Sequence, residues 1–128
     1  MKKYLLFLLC LYPSISFATI MNSKLFYDIY KKETNNEIKV TTVYTRGVID
    51  GIATVLSLEK GDSDIDKKMF YCIMMQEPEK VKERSIRHYL DGEIGDDDFT
   101  ATNIYLSSLE YCAKKIKEGK VILGEYIK

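Results

Sequence analysis

The first eighteen residues decide how much of this chain is left to fold. Two lysines, Lys2 and Lys3, precede an apolar run that ends at Leu11. The small residues Ser16 and Ala18 then occupy the −3 and −1 positions of a cleavage site. A positive start, a short apolar stretch and a small-residue cleavage site are typical of a secretory signal peptide. We therefore predict that residues 1–18 are a signal peptide, that the mature chain starts near Thr19, and that the protein is exported to the periplasm.

Cleavage would leave residues 19–128, a length of about 110 residues that is ordinary for one domain. The full chain has nineteen basic and nineteen acidic residues, and cleavage removes two lysines, so the mature net charge is about −2. Proteins that bind nucleic acid normally carry a clustered basic surface, and none is expected here. No apolar segment reaches the roughly 20 residues that a membrane-spanning helix needs, so no membrane span is expected either.

Two cysteines remain after cleavage, Cys72 and Cys112. An even pair of cysteines in an exported protein predicts a disulfide, which would close a loop of about forty residues and add about 4 kcal/mol to the free energy of unfolding. The alternative is a reactive or metal-binding pair. The chain has no Cys-x-x-Cys motif and a single histidine, His88, to serve as a further ligand. We therefore predict a structural disulfide, no metal site and no cofactor.

Apolar residues recur at helical spacing in five segments, each bounded by a capping residue, a proline or a glycine. The predicted segments are Ser23 to Asn36, Ile38 to Gly61, Asp66 to Met74, Pro78 to Gly92 and Asp98 to Gly119. The predicted N-caps are Ser23 for the first of these helices, Asp66 for the third and Asp98 for the last. The tail from Val121 to Ile127 is undecided between a strand and a docked extension. The sum predicts an all-α fold, a compact bundle of four to five helices stabilised by one disulfide.

The loop Gly92–Asp98 is the clearest candidate for a binding surface. Its two glycines permit a protruding turn, Ile94 would be an exposed apolar tip, and three consecutive aspartates add negative charge. This combination suits entry into the cleft of a partner, whereas an ordinary solvated loop is the alternative. A calcium site is disfavoured because the alternating aspartates and the distal glutamate of a calcium loop are absent. The candidate contact residues are Glu93, Ile94, Asp96 and Asp97.

Gly47 and Gly51 lie four residues apart, on the same side of the second predicted helix. Each costs up to about 1 kcal/mol relative to alanine inside a helix, and close approach of another helix would offset that cost. Contact with a ligand is the alternative. Arg46 and Asp50 have the spacing of an exposed ion pair. No serine or cysteine is paired with a histidine and an acid in a known motif, so no catalytic residue is predicted, and His88 is interpreted as a surface histidine.

The segment around these glycines resembles the Tai/Rap family, the immunity proteins of type VI secretion amidase effectors. The resemblance rests on the pattern Tyr-x-x-Gly-Val-x-Asp-Gly-Ile, followed by a cysteine, a proline and a helix ending in Tyr89-Leu90, and it extends from about Leu25 to Cys112. The positions that match the family as structural signatures are Tyr44, Gly47, Val48, Asp50, Gly51, Cys72, Pro78 and Cys112.

The resemblance implies a small, helical, disulfide-containing periplasmic protein that binds and blocks a peptidoglycan amidase. Such a protein, monomeric or a homodimer, would place a loop over the catalytic cleft of the hydrolase and exclude substrate. Two other classes stay open. A periplasmic stress protein or holdase chaperone would bind unfolded proteins through exposed apolar surface. A small exported enzyme would need a catalytic constellation that the sequence does not offer.

Overall fold

Five α-helices account for most of the chain in the computed structural model, which describes residues 21–59, 61 and 63–125. The predicted signal peptide lies outside the described residues. The helices are α1 (Ser23–Lys32), α2 (Val40–Glu59), α3 (Asp64–Met74), α4 (Pro78–Leu90) and α5 (Thr100–Lys117), followed by a 3₁₀ turn (Leu123–Glu125). The prediction of an all-α bundle with one disulfide is confirmed.

The disulfide joins α3 to α5 in the centre of the bundle. Cys72 and Cys112 are both buried, and their Cα atoms are 5.8 Å apart. Helix α2 packs against all four other helices and supplies the buried Ile49 and Ile52. Around the disulfide lie the other buried apolar side chains of this cluster, namely Ile73, Val81, Ile104 and Val121. The bridge is therefore part of the apolar core.

Val121 also settles how the described part of the tail is arranged. Its side chain is buried in the central cluster, and the chain then makes the 3₁₀ turn, so residues 121–125 form a docked extension rather than a strand. The tail beyond residue 125 lies outside the described residues. The helices from α1 to α5 all fall short of the combined length and apolar character that a membrane crossing demands.

The predicted helix stops are confirmed at two glycines. Gly92 and Gly119 follow α4 and α5 with φ angles of 75° and 69°, a left-handed conformation that favours glycine just after a helix. Pro78 occupies the first turn of α4, where its missing N–H costs no hydrogen bond. Local chemistry was sufficient to place these boundaries.

The predicted N-caps are wrong at all three positions. The side chain of Asn22, not Ser23, caps α1 and accepts a 2.8 Å hydrogen bond from the backbone N–H of Leu25. Helix α3 is capped by Ser63, whose hydroxyl accepts from the N–H of Asp66 and also donates to its carboxylate. The predicted cap therefore sits at the third residue of the helix, the position that pairs reciprocally with an N-cap.

The third wrong cap lies at the start of α5. Phe99 is the N-cap residue there and makes no side-chain cap hydrogen bond. The Asp98 carboxylate instead accepts a 2.6 Å hydrogen bond from the backbone N–H of Gly95. Asp98 is thus committed to the loop that precedes the helix, which leads to the candidate binding surface.

Candidate partner-binding loop

Residues 91–99 join α4 to α5 and are tied to the distant start of α1. The backbone carbonyl of Asp98 accepts hydrogen bonds from both the N–H and the hydroxyl of Ser23, each 2.9 Å long. The carbonyl of Asp96 accepts a weaker bond, 3.3 Å, from the N–H of Lys24, and the N–H of Thr100 donates to the carbonyl of Met21 at 3.0 Å. These contacts span about 75 positions of sequence, so the loop is held by the fold rather than by its own turn.

Side chains fix the loop from within. The N–H of Asp98 donates to the carbonyl of Gly95 at 3.3 Å, and the Asp98 carboxylate accepts from the N–H of Gly95 in return. The Tyr89 hydroxyl, on the last turn of α4, donates a 2.7 Å hydrogen bond to the Asp96 carboxylate. The ring of Tyr89 lies 5.5 Å from that of Tyr27 on α1, which completes the link between the loop and the bundle. The loop is therefore pre-organised before any partner arrives.

Ile94 is not the exposed tip that the sequence predicts. Its side chain is half-buried and lines a narrow gap between α1 and α4 with Phe26 and Ile86. The reason is the anchoring to α1, which turns the single aliphatic side chain of the loop toward the nearest apolar surface. The exposed apolar residue is Phe99, with 54% of its surface accessible. Sequence reasoning missed Phe99, although an aromatic residue directly after an acidic run was a usable signal.

Of the four predicted contact residues, only Asp97 and Glu93 have exposed side chains that do not hold the loop to the bundle. Asp97 is exposed, and no hydrogen bond or ion pair found among the described residues uses its carboxylate. Glu93 is exposed and approaches His88 at 3.7 Å, a distance at the limit of an ion pair. Asp96 and Ile94 are instead tied into the fold. The exposed side chains of the loop that do not hold it to the bundle are therefore Glu93, Asp97 and the missed Phe99, which we call the acidic tip.

The loop that carries the acidic tip has a concentrated negative charge. Five of the eight residues from 91 to 98 are acidic and none is basic. Such a field attracts a positively charged partner surface and raises the rate of encounter at low salt. The exposed ring of Phe99 lies beside this charge. A partner that covers the ring removes its apolar surface from water, which favours binding. This arrangement suits binding of a cleft with a basic rim.

The hydrogen bond from Tyr89 to the Asp96 carboxylate raises the pKa of Tyr89 from 10.0 to about 12, because it holds the phenol in its protonated form. The difference in tyrosinate absorbance between the wild type and Tyr89→Phe reports the ionisation of Tyr89, and we expect its midpoint near pH 12. In the Asp96→Asn background we expect the midpoint of the same difference near pH 10. The stability that this bond contributes is present below pH 10 and is lost as the pH rises toward 12. A Tyr89 that titrates near pH 10 in the wild type would contradict the anchoring of the loop.

Two signature residues of α2 pack inward. The ring of Tyr44 lies 5.8 Å from that of Phe26, and Val48 packs against the central apolar cluster. Asp50 is exposed and pairs with Arg46 at 3.2 Å, as the i, i+4 spacing predicts. Tyr44 and Val48 therefore belong to the core, whereas Asp50 lies on the solvent side.

The predicted close approach to Gly47 and Gly51 is wrong within this chain. Both glycines are exposed, and beyond the adjoining residues and backbone of α2 a Cβ atom at either position would meet no atom within 4 Å. The reason is the helical period, because both fall on the side of α2 opposite the buried Thr45 and Ile49. The cost of the two glycines is therefore not offset by packing inside the bundle.

It follows that Gly47→Ala and Gly51→Ala should each raise the free energy of unfolding by about 0.5 to 1 kcal/mol, since alanine restricts the unfolded chain and meets no clash. Urea denaturation of the oxidised protein measures this. Gly92→Ala is the contrasting variant, because its φ of 75° is strained for any residue with a Cβ, and it should destabilise. Destabilisation by Gly47→Ala or Gly51→Ala would contradict the exposed position of this face.

Within residues 21–59, 61 and 63–125, no group of three or more His, Cys, Asp or Glu side chains is arranged to hold a metal ion. The predicted surface position of His88 at the end of α4 agrees with its partial exposure. Comparison of the chain with protein-family models, with curated proteins and with solved structures found no match.

Proposed function

We propose that this protein is a periplasmic immunity protein that binds a peptidoglycan amidase toxin and occludes its active site. The observation that carries the proposal is the acidic tip, a charged and aromatic surface on a loop that the fold holds in place. A pre-organised loop loses little conformational entropy when it is bound, so more of its contact energy is realised as affinity. The resemblance of the Tyr44–Leu56 segment to the Tai/Rap family supports the same proposal.

The mechanism is occlusion without chemistry. Phe99 enters an apolar part of the hydrolase cleft, while Glu93 and Asp97 pair with basic or hydrogen-bond-donating groups around it. Because the Ser23–Asp98 contacts hold the loop to the bundle, the rest of the domain blocks the approach of a polymeric substrate. Proteins that inhibit hydrolases in this way bury about 1,600 Å² in total and reach high affinity through a few central anchors.

The proposal is tested by calorimetric titration of the oxidised mature protein, residues 19–128, against the product of each neighbouring gene that encodes an exported cell-wall amidase. We expect one-to-one or two-to-two complexes with nanomolar dissociation constants, the order found for specific, standard-size interfaces. Both complexes have a molar ratio of one in the titration, so the mass of the complex, measured by light scattering, distinguishes a monomer from a homodimer. Absence of binding to every such amidase would contradict the proposal.

Variants of the acidic tip locate the interface. Phe99→Ala should weaken amidase binding at least about tenfold because the aromatic anchor is lost, and Glu93→Ala with Asp97→Ala should slow association and reduce its salt dependence. Glu110→Ala, an exposed acid on α5 outside the loop, is the matched control and should bind as the wild type does. Ile94→Ala and Asp96→Ala should lower the melting temperature, because both residues hold the loop to the bundle. Unchanged affinity in the Phe99, Glu93 and Asp97 variants would exclude this loop as the interface.

A second candidate function, a holdase chaperone, is favoured by one observation. Along the outer side of α2 the exposed apolar residues Val43, Val55 and Leu58 flank the exposed Gly47 and Gly51. An exposed apolar strip of this kind suits weak binding of unfolded chains. Suppression of the aggregation of a denatured model protein by the wild type, abolished by Val55→Ser and Leu58→Ser, would favour this function. Retention of nanomolar amidase binding by the same variants would favour immunity.

A further inference from the structure

An open groove of about 670 Å³ lies between α4 and α5, beside the disulfide. Its floor includes Cys72, Val81 and Val121, and its walls include the exposed side chains of Met75 and Tyr111. A volume of this size is typical of sites for small organic ligands. No residue of the loop 91–99 lines the groove, so it is separate from the acidic tip.

The groove is positively charged. Five basic side chains line it, against the two acids Glu77 and Glu83. Glu77 is already paired with Lys80 at 3.2 Å, and the rim lysine Lys120 is paired outside the groove with Glu118. Among the ion pairs between described residues, none involves the other three cations of the groove, which are Arg84, Arg87 and Lys115. Three positive charges therefore face the groove without an acidic partner.

Arg84 is held in one orientation although its charge is not compensated. Its guanidinium lies 4.4 Å from the ring centroid of Tyr111, and its Nη2 donates a 2.6 Å hydrogen bond to the side-chain carbonyl of Gln76. The buried amide of Gln76 is itself fixed by a 3.2 Å contact with the sulfur of Cys112. The Nε of Arg84 is buried and makes no hydrogen bond to the described residues. Burial lowers the pKa of Arg84, but an arginine stays protonated at physiological pH.

A fixed guanidinium whose contacts, Tyr111 and Gln76, are both neutral keeps its positive charge available for an anion that arrives from outside. The planar fork of arginine matches a carboxylate, which it binds through two parallel hydrogen bonds. Lys115, with its Nζ 5.5 Å from the same Tyr111 ring, adds a second positive charge on the other helix. Met75 and Tyr111 offer adaptable apolar surface next to this charge, which suits the side chain beside a carboxylate in a peptide.

We propose that the groove binds a short peptide segment through its carboxylate, with Arg84 as the pairing residue and Met75 and Tyr111 as the contacts for the neighbouring apolar side chain. The carboxylate belongs either to the C-terminus of the peptide or to an aspartate or glutamate side chain inside it. The groove is a second binding site of the protein, and it does not depend on the proposed binding of an amidase by the acidic tip.

Calorimetric titration of the oxidised mature protein with three N-acetylated peptides tests the proposal. The first is alanine-phenylalanine-leucine with a free carboxylate, the second is its C-terminal amide, and the third is an amide that carries an internal glutamate beside phenylalanine. We expect at least one acidic peptide to bind about tenfold or more tightly than the neutral amide, because a charge-assisted pair is lost in the amide. The better acidic peptide identifies the source of the carboxylate. Equal binding of acidic and neutral peptides, no binding of either acid, or tighter binding of inorganic phosphate would overturn the proposal.

Charge-removing variants assign the site to the groove. Arg84→Gln should weaken binding of the acidic peptide about tenfold or more, and Lys115→Gln should weaken it by a smaller factor. Lys114→Gln is the matched control, since Lys114 is exposed on the same helix and does not line the groove. If Arg84→Gln lowers the melting temperature strongly, the double variant Arg87→Gln with Lys115→Gln, both changed at the groove surface, takes its place. Binding by these variants as tight as that of Lys114→Gln would overturn the assignment.

Discussion

Replacement of Cys72 and Cys112 by alanine should lower the free energy of unfolding by about 4 kcal/mol. The bridge joins residues 40 positions apart in the chain, and the loss follows from the larger conformational freedom of the unfolded chain without it. Because each kcal/mol shifts the melting temperature of a domain of about 100 residues by roughly 4 °C or more, the midpoint should fall by at least about 15 °C. Both sulfurs lie in the apolar core, so small cavities add to the loss.

Urea denaturation with and without a reducing agent separates the two contributions. Reduction should destabilise the wild type by nearly the same amount as the double substitution, whereas the double variant should not respond to the reducing agent. The single variant Cys72→Ala leaves one buried thiol and should behave as the double variant does, to within the cost of one small cavity. Equal stability of oxidised and reduced wild type would show that the bridge does not restrict the unfolded chain.

Replacement of Glu79 by glutamine should destabilise the fold by about 3 kcal/mol, because it leaves the ammonium group of Lys82 buried without an anion. Lys82 is only 1% exposed, and its Nζ lies 2.5 Å from the Glu79 carboxylate and 3.0 Å from the Thr42 hydroxyl. Thr42 also donates to the same carboxylate, which completes a triangle of polar groups between α2 and α4. Glu79 is 47% exposed, so its loss should fall at the low end of the range for buried pairs.

Two further variants on α4 make this prediction specific. Glu77→Gln breaks a pair of the same spacing with Lys80, but both side chains there are exposed, and its cost should stay below about 1 kcal/mol. Lys82→Met removes the buried charge itself and should leave the stability within about 1 kcal/mol of wild type. A Glu79→Gln variant no less stable than Glu77→Gln would show that Lys82 finds another anion or water.

The same pair gives the protein a defined response to acid. The hydrogen bond from Lys82, and then that from Thr42, lowers the pKa of Glu79 below its ordinary value of 4.5. A lowered pKa of an acid contributes stability that is present above pH 4.5 and is lost as the pH falls through the lowered value. The stability difference between wild type and Glu79→Gln should therefore be constant at neutral pH and shrink below pH 4.5. A difference that stays constant down to pH 3 would contradict the ion pair.

The parts of the fold that the sequence predicted are those set by local pattern and by the cysteine count. Apolar periodicity identified five helices, Gly92 and Gly119 ended two of them, and the pairing of Cys72 with Cys112 followed from the even count in a chain predicted to be exported. The N-caps were misplaced because competing hydrogen bonds decide them. The hydroxyl of Ser23, for example, donates to the distant carbonyl of Asp98 and is not used as a cap.

The sequence indicated the candidate loop but predicted wrongly which of its side chains are exposed. The acidic loop could be read from composition, whereas the inward turn of Ile94 depends on the approach of α1, nearly seventy residues earlier in the chain. The exposure of Gly47 and Gly51 could have been read from the period, since Ile49 between them marks the buried side. The groove around Arg84 could not, because its walls come together only when α4 packs on α5.

The most direct test of the proposed function is the rate of peptidoglycan hydrolysis by any exported cell-wall amidase that a neighbouring gene encodes, measured as the oxidised mature protein is added. We predict a linear loss of hydrolysis that is complete at one protein chain per amidase, and a much weaker inhibition by Phe99→Ala. Full hydrolysis at a molar excess of the wild-type protein would contradict it.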